Sequence, residues 1–316
     1  MAVNQLPKMI CVTPKTFLLF VLALASISVF VGCSTIPLEP IDSKLYPSGT
    51  VYTYQPLNPT TVWIRDPTEQ EKVERKWQDA DETSDEFKKA LLRDLDTETV
   101  RISLNTLEGN AALNAGVVGT SVKGQSYVLI VDYIKYFASR KEIDRQYISS
   151  NAQGQDVTKH FKGTIPMYIG IGLRIRAEFK ALEGGLNISG LPAIAVAANS
   201  KGITGRLTVQ TLGISGHEVT GLMPLISDIS VTSIQNAIQA VAAIKAKIYE
   251  ESTTVYPKIV GFESPERDPA LIRAITEYLY ASEEWICPVA IEKPQPKDDK
   301  KTTVLYIEWF SPEPEE

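Results

Sequence analysis

Three stretches of the chain carry residue types at spacings that could do chemistry. Gly213-Ile-Ser215-Gly216-His217 sets a serine among glycines beside a histidine. A strained serine nucleophile needs Gly-x-Ser-x-Gly so that neighbouring backbone can pass close to the turn. Here His217 holds the fifth position, and the members of a Ser-His-acid set normally meet through the fold, not along the chain. The segment reads as a turn after a strand. His217-Glu218 opens like a helical zinc-protease site, but Gly221 stands where the second histidine is needed. Gly119 to Gly124 has the outer glycines of a phosphate loop, yet Gln125 and Ser126 follow where Lys and Ser or Thr are required. The only histidines, His160 and His217, leave little material for zinc. No set of acid, base, nucleophile and metal ligand emerges, so the expectation is a non-enzyme with neither cofactor nor metal.

Three cations remain as candidate ligand or partner contacts. Lys245 falls inside the arc of Ile234, Ile238, Val241, Ile244 and Ile248 on a helix expected over 228–251, which Ser230 or Thr232 can cap. It could meet a carboxylate or ligand there, or snorkel to the edge of the core. Arg174 and Arg176, with Lys180 beyond, alternate with Ile169, Ile171, Leu173, Ile175, Ala177 and Phe179. That spacing places a basic strip on the wet face of a half-buried strand. An anionic ligand or acidic partner would suit the strip, whereas Glu178 would balance it as an ordinary solvated face.

The most specific stretch is Lys15 to Ser34. An uncharged run, Phe17 to Val31, follows Lys15 and meets Gly32-Cys33-Ser34, the pattern of a secretory signal peptide. Fifteen apolar residues fall short of the roughly 20 that cross a bilayer as a helix. Met9 offers a second start that leaves a short basic lead. The ending Phe30-Val31-Gly32-Cys33 resembles the lipobox of bacterial prolipoproteins, with Phe30 where an aliphatic residue is commoner. The resemblance implies cleavage between Gly32 and Cys33 and a diacylglycerol, often with an added palmitate-like chain, on Cys33. Each buried methylene contributes about 0.8 kcal/mol, so two or three chains anchor a protein durably. Ser34 lacks the aspartate that in similar lipoproteins favours the inner membrane. The implied location is therefore the outer membrane, facing the periplasm.

Removing residues 1–32 takes away two lysines and no acid, leaving 30 basic against 38 acidic residues. That balance, without a basic run, disfavours nucleic acid and polybasic attachment to anionic lipid. Cys11 leaves with the signal peptide and Cys33 carries lipid, so Cys287 alone cannot form an intramolecular disulfide. In Trp285-Ile-Cys287-Pro288 it reads as a buried thiol.

The elements that would position these residues follow. A proline-rich tether over 33–65 contains one short strand at Thr50–Tyr54, and Asp66-Pro67 starts a helix to about Ala80. Ser84 caps a helix through Leu95 that presents Phe87, Leu91 and Leu95 on one face. Strands are expected around Val100–Leu104, Tyr127–Phe137, Ile169–Lys180, Ile203–Ile214 and Thr303–Phe310. Leu191–Ala198 is ambiguous between strand and helix, Asp268-Pro269 starts another helix, and 311–316 is an acidic tail. The fold expected is α+β over 66–262, an antiparallel-rich sheet packed by one long amphipathic helix. N-terminal and C-terminal helices accompany it, and 263–316 forms a helix-strand extension. Function is expected to be that of a non-catalytic, lipid-anchored envelope protein with a protein partner or self-association. A ring or β-barrel pore component is the first alternative, and an envelope hydrolase the second.

Overall fold

Two strands of unusual length set the architecture. In the computed structural model, which describes residues 52–64, 84–106, 112–113, 120–122, 126–182, 186–188, 190–282, 285–294 and 301–310, the longest strands are Ser126–Ser150 (β3) and Asp156–Ala181 (β4). They pair antiparallel without a slip from Ser126↔Lys180 to Ser150↔Asp156. Asn151 turns the chain between them: its side-chain oxygen accepts the N–H groups of Gln153 and Gln155, and Gly154 supplies φ 75°. The other major strands are Thr53–Thr61 (β1), Thr97–Thr106 (β2), Ile203–Leu212 (β5), Lys258–Ser264 (β6), Trp285–Pro294 (β7) and Lys301–Phe310 (β8). The main sheet runs β1-β6-β4-β3-β2, with β5 pairing the end of β4 beyond β6. β7 and β8 form a separate hairpin.

The two faces of this sheet differ. Odd-numbered residues of β3 and β4, including Leu129, Val131, Ile171 and Ile175, enter the large apolar core. Helices Asp85–Asp94 (α1), Leu191–Asn199 (α2), His217–Leu222 (α3), Val231–Lys247 (α4) and Pro269–Ala281 (α5) add side chains to that core. On the other face Tyr54, Ile134, Tyr136, Tyr168, Leu212 and Val260 form a small second core. The sheet coils tightly here: a Cβ on Gly170 would lie 2.2 Å from the Lys135 carbonyl oxygen, and one on Gly172 2.1 Å from that of Tyr133. That curl brings β1 from the sheet's edge over its centre.

Several expectations hold. Ser84 caps α1 by accepting the Phe87 N–H, and Phe87, Leu91 and Leu95 are buried. Asp268 caps α5, whose Leu271, Ile275 and Leu279 are inaccessible. Leu191–Ala198 resolves as helix α2, with Pro192 in its first turn, where a missing N–H costs nothing. The strand expected at Thr50–Tyr54 is Thr53–Thr61, so the segment read as tether enters the sheet. Pro56 and Pro59 are tolerated because β1 is an edge strand whose register breaks between Pro56 and Thr60. The helix expected after Asp66 and the acidic tail lie outside the described residues.

One long amphipathic helix packing the sheet is not what forms. Among the described residues the architecture is strand-dominated and largely antiparallel, and five short helices share its cover. α4 has the expected Ser230 cap, in a reciprocal box with Ser233, but it packs on α2 and α3 and meets β4 and β5 only locally. Its buried residues are Ser233, Ile234, Ala237, Ala240, Val241 and Ile244. The centre of that face is rotated roughly 45° at 100° per residue from the isoleucine arc, toward the alanines that allow close helix approach. Ile238 is thereby left 42% exposed. Ile238→Asp is therefore expected to leave the thermal midpoint nearly unchanged, while Ile244→Ala costs about 2–5 kcal/mol. Chemical denaturation of both variants checks this; equal losses would return Ile238 to the core.

Candidate functional site

The most buried ion pair among the described residues is one that the strand alternation places between β3 and β4. Asp132 and Arg174 are direct cross-strand partners, 0% and 3% exposed. Arg174 donates through Nε and Nη2 to the two carboxylate oxygens of Asp132, each at 2.7 Å. Its remaining donors reach the carbonyls of Leu57 at 2.6 Å and Val260 at 3.1 Å, and the Tyr54 hydroxyl donates to Asp132 at 2.5 Å. Burial lowers the Arg174 pKa and the Asp132 hydrogen bond raises it, with the net direction upward. Burial, reinforced by Asp132, pushes the Tyr54 phenol well up. Both groups are held in one protonation state, which suits structure and not proton transfer.

A second polar set adjoins it. Tyr168 donates to Glu263 at 2.8 Å and accepts from Arg101 at 2.9 Å, with the Arg101 guanidinium 5.0 Å above its ring. Tyr136 packs edge-on against the same ring at 4.8 Å. Burial raises the Glu263 carboxyl above its ordinary 4.5, against the lowering pull of Arg101 and of the Tyr168 hydrogen bond.

The accessible candidate is the outer half of the β3–β4 hairpin. β2 accompanies β3 only to Tyr136, and β6 accompanies β4 only to Met167. From Phe137 to Pro166 the described residues give neither outer edge a ladder partner. α5 backs one face: Arg145 stacks 4.8 Å over the Tyr278 ring, and Asp268 receives Ser149 and Lys159, each at 2.8 Å. On the opposite face Asp144 binds His160 at 2.5 Å and Lys162 at 3.0 Å, and these hydrogen bonds, His160 first, hold its carboxyl below the usual range. An open cleft of about 430 Å³ lies here, lined by Glu142, Asp144, Arg145, Lys162 and Tyr278 among others. The mix of both charge signs with an aromatic wall can bind. For catalysis it offers a His-Asp pair whose described contacts include no hydroxyl or thiol.

The residues singled out in the sequence lie apart from one another. Arg174 is not on a wet face: β1 and β6 cover it, and the alternation between buried and open positions begins only after it. Arg176 is on the open face and pairs with Glu178 at 2.7 Å. Lys245 leaves the core arc with the rotation of α4, is exposed and pairs with Glu98. Ser215 and His217 stand exposed on successive elements, with no hydrogen bond between them among the described contacts. Gly213, at φ 66°, and Gly216, at φ 147°, make the turn there. Cys287 pairs with Glu308 in the β7–β8 ladder. Gly32 and Cys33 lie outside the described residues. Among the described residues no cluster of three metal-ligating side chains occurs. Sequence reading missed Asp132 and the hairpin. A lone carboxylate inside Tyr127-Val-Leu-Ile-Val-Asp132-Tyr-Ile was the available signal, because a strand buried on both faces must supply it a counter-charge.

Two outcomes follow from this geometry. Asp132→Ala leaves Arg174 buried and uncompensated, at a cost of about 3–5 kcal/mol, whereas Asp132→Leu with Arg174→Met recovers most of that loss. Denaturant titration of both decides, and a double variant no better than the single one refutes the account. Because the folded state raises the Glu263 pKa, stability from this group is greatest below about 4.5 and declines as pH rises through the raised value. Relative to Glu263→Gln, the wild-type melting midpoint should therefore fall with rising pH across that window. Parallel profiles between about pH 4 and 8 would contradict it.

No family model matches the chain, and neither a curated protein nor a solved structure matches it.

Proposed function

We propose that this chain is a non-catalytic, lipid-anchored protein of the bacterial envelope, held through Cys33 in the outer membrane and facing the periplasm. Its working part in this reading is the outer β3–β4 hairpin, which binds a protein partner. The observation that carries the reading is the mismatch in strand length: 25 and 26 residues in the hairpin, against 10 or fewer in every other described strand. Two strand edges without a ladder partner among the described strands, and an open face of Glu142, Asp144, Gln146, His160 and Lys162, thus extend past the rest of the sheet, with the inner face packed against α5 in the main core. An extended partner segment can add to such an edge through main-chain hydrogen bonds, with the side chains setting specificity. The signal peptide and the lipobox resemblance supply the anchor. Among the described residues no helix is long and apolar enough to cross a membrane.

A ring or pore component is the second reading, favoured by the same strands, which exceed the roughly 9–11 residues a transmembrane strand needs. Composition weighs against it. One face of the outer hairpin carries Asp144 and Lys162, the other Arg145 and Lys159, so neither offers the uninterrupted apolar band that lipid requires. A hydrolase would need partners for Ser215 or His217.

A photocrosslinking residue at Ile148, 67% exposed on the hairpin, should capture one discrete envelope protein in living cells. The same probe at Ile238 should not. Cys33→Ser should abolish acyl labelling and release the chain from membranes. Turnover of an envelope polymer that is lost in Ser215→Ala or His217→Ala would overturn the non-catalytic reading. A ring-sized homo-oligomer in gentle extracts would promote the pore.

A further inference from the structure

The end of the body remote from the hairpin tip has a different chemistry. From Val219 to Ile244 the sequence has one charged residue, Asp228, and α2 has none. Around β5 this charge-poor chain presents large apolar side chains to solvent. Leu225 is 89% exposed and Ile226 70%, in the Met223–Ile226 loop that leads into the two-residue strand beside β5. Val196 is 71% exposed on α2, the helix preceding β5, and Val231 stands partly open at the start of α4. Leu182, 58% exposed, bonds through its N–H to Gly202 at the mouth of the same strand. α2 is apolar all round yet buries only Leu191, Ile194 and Ala197. A helix of that composition is normally covered on every side. Exposed apolar groups concentrated in this way mark an interaction surface.

We propose that this surface rests on the lipid bilayer, with Leu225 and Ile226 inserted among the headgroups and upper acyl chains. The proposal rests on the reading of Cys33 as the lipid carrier, and chain length is its first support. Thr53 pairs with Ser264 at the hairpin side of the β6–β4 contact, beyond the Phe262↔Met167 rung. From that level to Ala181 is roughly 15 residues of β4, or about 50 Å at 3.3 Å per residue. The chain between Cys33 and Tyr52, about 20 residues, spans at most roughly 65 Å. An anchored body can therefore turn its far end to the membrane, where tethering adds to a contact that the apolar side chains make by themselves. Charge is the second support. Lys201 and Arg206 flank the surface and Arg176, Glu178 and Lys180 lie on the adjoining open face of β4, but Asp228 and Glu178 are both ladder partners of Arg206 and Glu178 also pairs with Arg176, so attraction to anionic lipid is small. What remains is a set of protruding uncharged side chains. A fluid apolar phase accepts these without a complementary mould, whereas a protein partner must supply one.

The test uses the mature chain from residue 33 on, carrying Cys33→Ser and so unacylated, with vesicles of zwitterionic phosphatidylcholine and phosphatidylethanolamine. The expected result is co-sedimentation that changes little with salt and falls at least about tenfold in the Leu225→Ser, Ile226→Ser double variant. Both residues are exposed, so an unchanged melting midpoint confirms that the variant is folded. Three outcomes would overturn the proposal: no vesicle binding, equal binding by the variant, or a concentration-dependent dimer without vesicle binding that the variant abolishes. The last assigns the surface to a second copy. Failure of the anchor reading is separate, since it would appear as an unmodified Cys33 in protein from its own membranes and leave the vesicle result standing.

Discussion

The Asp132–Arg174 pair is the constraint on which the rest of this structure depends. Two opposite charges at the centre of a sheet cannot be left between two solvated faces and also be dry. Nor can they be buried without every lone pair and proton being met. The chain meets that demand with main-chain carbonyls from β1 and β6 and the hydroxyl of Tyr54. Those partners reach the pair only if the sheet coils until its own edge overlies its middle. Gly170 and Gly172, where any side chain would strike the backbone of β3, permit that coil. The pair thereby recruits the proline-bearing segment 53–61 into the fold.

The same coil explains why the hairpin projects. β1 and β6 are spent on closing the inner face, β5 extends the sheet only toward Ala181, and β2 stops at the rung of Tyr136. Nothing among the described strands is left to flank Phe137–Pro166. α5 takes the place of missing strands on one face, through Tyr278, Asp268 and its buried leucines. The Tyr280 hydroxyl also accepts the backbone N–H of Asn58, where the β1 register breaks, at 3.0 Å. α5 thus ties the hairpin to the closed part of the sheet. The open face carries paired charges such as Asp144 with His160 and Lys162, a common protection of exposed strands against indiscriminate pairing.

Local signals were legible where one residue type has one physical use. Ser84, Ser230 and Asp268 cap helices as their sequence positions suggest, and the alternation at 169–181 is a strand. What could not be read depends on partners distant in sequence. Arg174 looks like a surface residue until Leu57, Asp132 and Val260 are brought to it from elsewhere in the chain. Ile238 looks like core because isoleucine outweighs alanine in any apolar arc, yet helix-to-helix approach favours Ala237 and Ala240, and the helix turns accordingly. The prolines of β1 signal a tether by composition, and only edge position with a broken register accommodates them in a strand. The outer halves of β3 and β4 interrupt their apolar positions, Ile143, Tyr147, Phe161 and Ile165, with Lys141, Arg145 and Lys159 on the same face, so the alternation that marks a strand is weak there.

The two ends of the molecule impose an orientation on each other. β4 runs from the polar turn at 151–155 to Leu182 beside the exposed apolar side chains around β5, a path of up to roughly 80 Å. A body that lies on lipid through Leu225 and Ile226 must therefore hold the hairpin away from the membrane, in water, where Glu142, Asp144 and Lys162 remain hydrated. The reverse arrangement would press those charges against hydrocarbon and leave the apolar surface wet, losing on both counts. In that proposed pose anchor, apolar contact and hairpin form one ordered series, with the bilayer at one end and, at the other, hairpin edges that have no ladder partner among the described strands. A pore built from the same hairpins would require the opposite pose, which the charges on both faces of the outer hairpin, Glu142, Asp144 and Lys162 on one and Arg145 and Lys159 on the other, oppose.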